Sequence, residues 1–431
     1  MARSLAVTVV RLAPLQLIGR GGEALLPALL AAWFGRSAAT DVYWFAWACF
    51  AFASSLVFAA SQDSALVSIV AEERAHAPAR LPELLGALIG NTVRYGVIAA
   101  AAVGAAIAVW MWLRYAGVDR ALALEMVPPL TLALVATSLR TCFCAVLNAE
   151  HAFTVPPLAS ALGMAATLSA IWLLRGSLGV AAIPLATLGG ELVALIVLAL
   201  ALARRGLLAR PTLARPPALV RFRRLVLSEM AGNGVVRINP IVDQWVAGLA
   251  SIVGGGTILR YSCDLSLFPT SVLQATLLSI LMARLSSHAV RGQRGELVRT
   301  LRQTLLVIAG LLVAASAVVV LLREPLARLA FGYGAMDAQA VTEIAALVPW
   351  FVVGLVPFGV LLVLARAHVA LQNSRIMFSM GILNAALNLG GDLLLVGPLG
   401  LRGIALSTSI THAVVAAVFW WRLRPWLAEP R

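Results

Sequence analysis

The sequence predicts an all-α polytopic membrane protein of about twelve transmembrane helices arranged in two six-helix bundles. Three observations carry that expectation: the composition, the length of the apolar runs, and one basic, proline-rich interruption at mid-chain. Of 431 residues, 61% are hydrophobic and only 12% charged, and the mean hydropathy is +0.93. A soluble domain carries about 25% charged residues, so in water this chain would leave large apolar surfaces uncovered. In a bilayer the backbone must close its hydrogen bonds internally, which leaves helices or closed barrels. Barrel strands alternate apolar and polar over about ten residues. The apolar runs here are unbroken for about twenty, the length of a spanning helix.

Twelve apolar segments can be placed. The first six lie near 8–33, 42–69, 85–113, 121–148, 154–174 and 179–203. The second six lie near 225–252, 258–283, 303–322, 340–370, 376–396 and 402–421. The longest connection, 204–224, contains seven Arg and three Pro. Proline blocks helix continuation, so this stretch reads as a cytoplasmic linker on the membrane surface. It divides the chain into an N-terminal bundle (1–203) and a C-terminal bundle with a short tail (225–431).

Arginine placement gives the orientation. With a cytoplasmic N-terminus, the even loops hold Arg74, Arg80, the linker arginines, Arg284, Arg291, Arg294, Arg299 and Arg375, and the tail adds Arg422, Arg424 and Arg431. The odd loops hold only scattered ones, such as Arg36, Arg114, Arg175 and Arg323. That asymmetry predicts both termini on the inner side of a bacterial inner membrane. Trp33, Trp110, Trp112, Trp350, Trp420 and Trp421, at helix ends, suit an interfacial belt.

The halves repeat. The stretch from Leu178-Gly179 to Thr187 lies over that from Leu399-Gly400 to Thr408, an offset of 221 residues. Its specific part is a small-residue turn, L-G-x-x-x-I-x-L-x-T, opening the sixth and twelfth spans. Six spans is an even number, so the two copies share one orientation, as in bundles that enclose a path for alternating access.

The composition also excludes. All 33 cationic residues are Arg, and the formal net charge is +14. In a soluble protein that charge would point to nucleic acid; here cytoplasmic loops and anionic membrane lipids account for it, and no nucleic-acid partner is expected. Cys49, Cys142, Cys144 and Cys263 lie in apolar stretches and read as small core residues. They form no disulfide framework or zinc pattern. No cleavable signal peptide is evident at the N-terminus. The five histidines are scattered, and no phosphate-binding loop precedes a helix. Gly254-Gly255-Gly256 reads as a flexible external turn. Neither catalysis, a metal nor a cofactor is expected.

Ionisable groups inside spans usually face a cavity or a partner. The first half holds Arg20, Glu23, Asp41, Asp63, Arg94, Arg140 and Glu191; the second holds Glu229, Arg237, Asp243, Asp264, Arg366 and Asp392. Arg20 with Glu23, and Arg260 with Asp264, could pair along one helix face. For each residue a structural pair competes with a substrate contact. The concentration in spans 1, 2, 7 and 8, equivalent positions in the two halves, favours a shared path.

Five stretches then resemble one family. They are Phe34-Gly35 with Thr40-Asp41; Asn239-Pro240-Ile241-Val242-Asp243; Phe331-Gly332-Tyr333-Gly334; Leu364-Ala365-Arg366 through Gln372-Asn373-Ser374-Arg375; and Pro398-Leu399-Gly400 followed by Gly403-Ile404-Ala405-Leu406-Ser407-Thr408-Ser409. In that order they resemble the MurJ/MviN lipid II flippases, within the MOP superfamily that also holds O-antigen flippases and multidrug (MATE) exporters. The resemblance covers nearly the whole chain and is clearest after residue 235.

It implies a MOP/MATE-like fold and translocation of a polyprenyl-diphosphate-linked saccharide, lipid II or a related envelope precursor. An ion gradient or the membrane potential would drive it. A cationic, wet cavity would lower the barrier to the diphosphate, with arginine giving bidentate contacts. The resemblance places Arg20 on the family's first helix-1 arginine and Asp41 on its acidic residue. The second helix-1 arginine falls on Leu26, the helix-2 basic pair near Ser54 and Ser55, and the eighth-span Asp–Arg pair on Cys263 and Asp264. The substrate-contact candidates are Arg20, Asp41, Arg237, Asp243, Arg260, Asp264 and Arg366. Two other readings stay open: a cation-coupled multidrug exporter using Asp41 with Tyr43, Trp44 and Trp47, and a non-transporting membrane scaffold.

Overall fold

The computed structural model describes residues 22, 25–57, 60–220, 238–250, 252–371 and 373–428. Among them all regular structure is helical and there is no strand. The helices are α1 (Leu25–Phe34), α2 (Ala38–Val57), α3 (Ala60–His76), α4 (Leu81–Arg114), α5 (Gly117–Ala149), α6 (Val155–Leu178) and α7 (Ala182–Ala203). Then follow α8 (Asn239–Ala247), α9 (Gly255–Val290), α10 (Arg294–Leu321), α11 (Arg323–Phe331), α12 (Ala338–Val352), α13 (Leu355–Ala370), α14 (Ser374–Leu399) and α15 (Leu401–Ala428).

Among the described residues, six helical stretches are long and apolar enough to cross a membrane. One of them, Val155–Ala203, has 49 residues. At 1.5 Å per residue it would run about 74 Å, more than twice the hydrocarbon thickness of ~30 Å. It folds back on itself instead. Gly179, at φ 54°, turns the chain, and α7 returns against α6. A Cβ on Gly163 would stand 2.7 Å from the Gly190 carbonyl, so small residues set the close approach of these two helices.

The expected tenth span, 340–370, is broken. α12 and α13 meet at 49°. Pro357 has no N–H for the carbonyl one turn before it. The carbonyls exposed at the break are taken up from another helix: Ser409 Oγ donates to Trp350 O at 2.6 Å and lies 3.2 Å from Phe351 O. Gly354 makes room, since a Cβ there would stand 2.6 Å from Ser409 Cα.

The chain forms two compact units. Unit 1 comprises Met1–Phe34 and Ala46–Ala231; unit 2 comprises Gly35–Phe45 and Gly232–Arg431. The opening two turns of α2 therefore pack with the second half of the sequence, a grouping that sequence order does not suggest.

In unit 1 the core joins Val70 of α3, Leu84 and Leu88 of α4, Phe143 and Leu147 of α5, and Leu198 and Leu202 of α7. Ala218 and Leu219 belong to the same core, so the stretch expected to be a surface linker is docked. Thr212 N donates to Gly86 O at 2.9 Å, and Asn91 Nδ2 donates to Ala214 O at 3.0 Å. Gly86 and Gly90 open the groove on α4: a Cβ on Gly90 would stand 2.2 Å from Thr212 O. Residues 221–224 lie outside the described residues.

In unit 2 the core runs through Leu281 and Leu285 of α9, Leu301 and Ile308 of α10, Val363 and Leu364 of α13, and Phe419 and Leu423 of α15. The polar groups described next lie in this unit.

Candidate substrate and ion site

Residues 35–45 are fastened to unit 2 at three points. The first is Asp41, whose Oδ1 accepts from Thr257 N at 2.8 Å and from Thr257 Oγ1 at 2.8 Å. The carboxylate thus caps the N-terminal end of the long α9, where unpaired N–H groups and the helix dipole favour negative charge. The triplet Gly254-Gly255-Gly256 permits it. Gly254 has φ 77° and lies under Arg36, while a Cβ on Gly256 would stand 2.5 Å from Gln244 Oε1 and 3.2 Å from Asp41 Oδ1. The triplet, expected as a flexible turn, is a close-packed cradle for a carboxylate from another segment. Gln244 Nε2 closes it by donating to Gly256 O at 3.0 Å.

The second point is Arg36. Its Nε meets Asp337 Oδ2 at 2.9 Å and its Nη1 meets Glu343 Oε2 at 2.8 Å. Asp337 also caps α12, its Oδ1 accepting from Ala340 N at 2.7 Å. That N–H bond, followed by the Arg36 charge, holds the Asp337 carboxyl below its ordinary value.

The third is aromatic. Tyr43 and Trp44 are buried. Trp44 meets the edge of Tyr261, which stacks on Phe331 at 4.6 Å. Above Trp44 lies Arg260, its guanidinium 5.1 Å from the ring centroid, and its Nε is 2.9 Å from Asp264 Oδ2. This is the pairing along one helix face that the four-residue spacing suggests. The two terminal nitrogens of Arg260 carry no bond among the described residues. The pair is about one-third exposed.

Deeper in unit 2, α8 and α14 bring two carboxyls onto one amide. Asn388 Nδ2 donates to Asp243 Oδ1 at 2.6 Å and to Asp392 Oδ2 at 3.1 Å. Asn388 and Asp392 are fully buried, and Asn388 Oδ1 and Asp392 Oδ1 have no hydrogen-bond partner among the described residues. Gly391 lets α15 approach, so that Ser407 Oγ donates to Asn388 O at 3.2 Å. A half-buried and a fully buried carboxyl beside two unsatisfied oxygens call for a proton or a cation. An all-oxygen set suits a hard ion.

Of the candidates from sequence, Asp41, Asp243, Arg260 and Asp264 all lie in unit 2 and in polar contacts. Arg366 is exposed on α13 and makes no hydrogen bond or ion pair among the described residues. Arg20 and Arg237 lie outside the described residues. Sequence reasoning missed Thr257, Gln244 and Asn388. Thr257 acts on Asp41, 216 residues away, and Gln244 on a backbone carbonyl, that of Gly256. Asn388 was legible as an amide four residues before Asp392, on the same helix face.

Comparison with known proteins identifies the family. Residues 30–429 match the family model described as "Lipid II flippase MurJ". A probable lipid II flippase MurJ of Thermotoga maritima is 24% identical over 216 residues, covering 50% of this chain and 44% of that protein. Its counterpart in Haemophilus influenzae is 25% identical over 218 residues, 49% of this chain and 42% of that protein. The matches thus span less than half the length of these relatives. Among solved structures, a lipid II flippase MurJ in an inward closed conformation superposes with a TM-score of 0.79 at 16% identity, over 96% of this chain and 87% of that one. An inward-facing multidrug resistance MATE transporter of the MOP superfamily superposes with a TM-score of 0.76 at 15% identity, over 96% and 94%. The fold is that of the MOP superfamily, the protein is a multi-pass membrane protein, and, matched from residue 30 to residue 429, the chain belongs to the lipid II flippase MurJ family.

Proposed function

We propose that this chain is a flippase that carries a polyprenyl-diphosphate-linked saccharide, lipid II or a related precursor, across a bacterial inner membrane by alternating access. The observation that carries the reading beyond family membership is Arg260. It is a cation within a long helix, held by Asp264 through Nε and supported by Trp44, with its terminal nitrogens open to a phosphate. Arg20 and Arg237, named from the sequence, are further candidates for phosphate contact.

Residues 35–45 would act as the latch. Asp41 on α9 and Arg36 on Asp337 and Glu343 hold this segment to unit 2, while α2 continues into unit 1. Asp243, Asn388 and Asp392 would bind the coupling ion, a proton or a hard monovalent cation. The arginine asymmetry of the loops supports both termini facing the cytoplasm.

Engagement of Asp41 at a helix terminus favours this reading over a drug exporter that needs a free titratable carboxylate beside Tyr43 and Trp44. Purified protein in vesicles should translocate a fluorescent polyprenyl-diphosphate-linked saccharide, faster under an imposed sodium or proton gradient. Asp392→Asn should abolish the gradient dependence. Export of ethidium with no lipid translocation would establish the exporter reading. Transport of neither would leave the scaffold.

A further inference from the structure

Unit 1 contains an ion pair that the reading above leaves unused. Arg140 Nε of α5 meets Glu191 Oε2 of α7 at 2.8 Å, and both side chains are partly open, at 29% and 21%. Glu191 is nine residues from one end of α7 and twelve from the other, so it lies about 14 Å and 18 Å inside them. At that depth an open pair cannot face hydrocarbon without heavy cost.

The helices show where it faces. The exposed apolar stripe of α7 is Leu185, Leu192, Ile196 and Leu200. Glu191 lies about 100° or more around the helix from each of them. On α5, Arg140 lies about 80° around the helix from the exposed Leu132, beside a half-buried polar stripe of Thr137, Thr141, Cys144 and Asn148 at three- and four-residue spacing. The Glu191 end of the pair therefore faces away from the exposed apolar stripe of α7, and the Arg140 end borders polar groups. Thr141 donates to its own helix, to Thr137 O at 3.0 Å, and does not compete for the guanidinium. Arg140 uses only Nε, and its two terminal nitrogens carry no bond among the described residues.

We propose that Arg140 is an anion-binding residue on the translocation path, holding a phosphate of the diphosphate-linked substrate through its terminal nitrogens while Glu191 fixes the guanidinium. The inference rests on the flippase reading for its substrate. It gives unit 1 the same device that Arg260 and Asp264 form in unit 2: Nε on a carboxylate, with the fork left open. Glu191 positions; Arg140 binds.

The test uses the double variant R140Q/E191Q, which leaves no orphaned charge, with R140K beside it. The probe is undecaprenyl diphosphate in micelles, against undecaprenol and phosphatidylglycerol, with binding read by thermal shift and native mass spectrometry. The wild type should bind the diphosphate saturably, R140Q/E191Q at least about tenfold more weakly at normal folding, and R140K in between. Equal binding by the double variant and wild type would overturn the assignment and leave the flippase reading intact. No diphosphate binding by the wild type would also overturn it. Equal displacement by phosphatidylglycerol would make Arg140 a headgroup site and overturn its role toward the substrate. A wild type that binds the diphosphate through Arg140 yet translocates no saccharide would sustain the site and overturn the flippase reading.

Discussion

Gly179 and Gly400, 221 residues apart, hold the same backbone conformation, φ 54°, ψ −135° and φ 58°, ψ −138°. Each ends one helix and begins the return of the next. The internal repeat seen in sequence is thus a repeat of a turn that only glycine adopts easily. Nothing lies within 4 Å of a Cβ placed on either, so the conformation alone requires glycine. Gly179→Ala and Gly400→Ala should each lower stability by about 1–3 kcal/mol, read from thermal unfolding in detergent. Two unequal effects, one near zero, would show that the turns do different work.

The docked strap leads to a second prediction. Gly86 and Gly90 leave no space for a side chain beneath residues 210–212. Gly90→Val should release the strap while leaving α4 in place. Leu208 and Leu213 are already exposed, so their resistance to chymotrypsin depends on how firmly the backbone is held. Cleavage there should rise by about tenfold or more, the equivalent of losing ~1.4 kcal/mol of docking energy. An unchanged cleavage rate would mean that Ala218 and Leu219 anchor the strap unaided.

Class and site were unequally legible. The membrane class follows from composition and run length, which are global properties that no single contact can overturn. The Arg260–Asp264 pair is written into a four-residue spacing. The latch is not, because Asp41 and Thr257 are 216 residues apart, and a carboxylate capping another segment's helix leaves no local pattern. The break at Gly354 escaped for the same reason, since its carbonyls are satisfied by Ser409 of α15. Asn388 escaped because a search for charges passes over an amide. The basic linker looked solvated because its described arginines, Arg204, Arg205, Arg210 and Arg215, are; the groove that receives its backbone is set by two glycines more than 110 residues earlier.

The Asp337 carboxyl gives a pH prediction. Its folded value is depressed, first by the Ala340 N–H and then by Arg36. A depressed acid stabilises the fold above its unfolded value, ordinarily 3.8, and that contribution disappears as pH falls through the folded value. Asp337→Asn should therefore unfold at a lower temperature than the wild type at pH 7. The two should converge as the pH drops below the ordinary carboxylate range. A difference that persists or widens in acid would show that the Asp337 charge is not what stabilises the fold.

Arg260 separates substrate binding from structure. Its Nε bond to Asp264 and its place over Trp44 could serve packing alone, in which case any replacement preserving the fold would preserve transport. Under the binding role the open terminal nitrogens matter, and lysine cannot reproduce them, because an ammonium offers a point charge in place of a planar fork. Arg260→Lys should reach the membrane at near-normal level, since it keeps a cation beside Asp264. Its translocation of a diphosphate-linked saccharide should nevertheless fall by about tenfold, the loss of roughly one charge-assisted hydrogen bond to phosphate. The double variant R260Q/D264N removes both charges and leaves neither stranded, so it should fold and yet translocate least. Single neutralisation by Asp264→Asn leaves Arg260 charged but loose, and should impair transport less than loss of the arginine. Membrane abundance by immunoblot, set against initial translocation rate in vesicles, distinguishes these outcomes. Wild-type rates from R260Q/D264N at normal abundance would reduce Arg260 to a structural role.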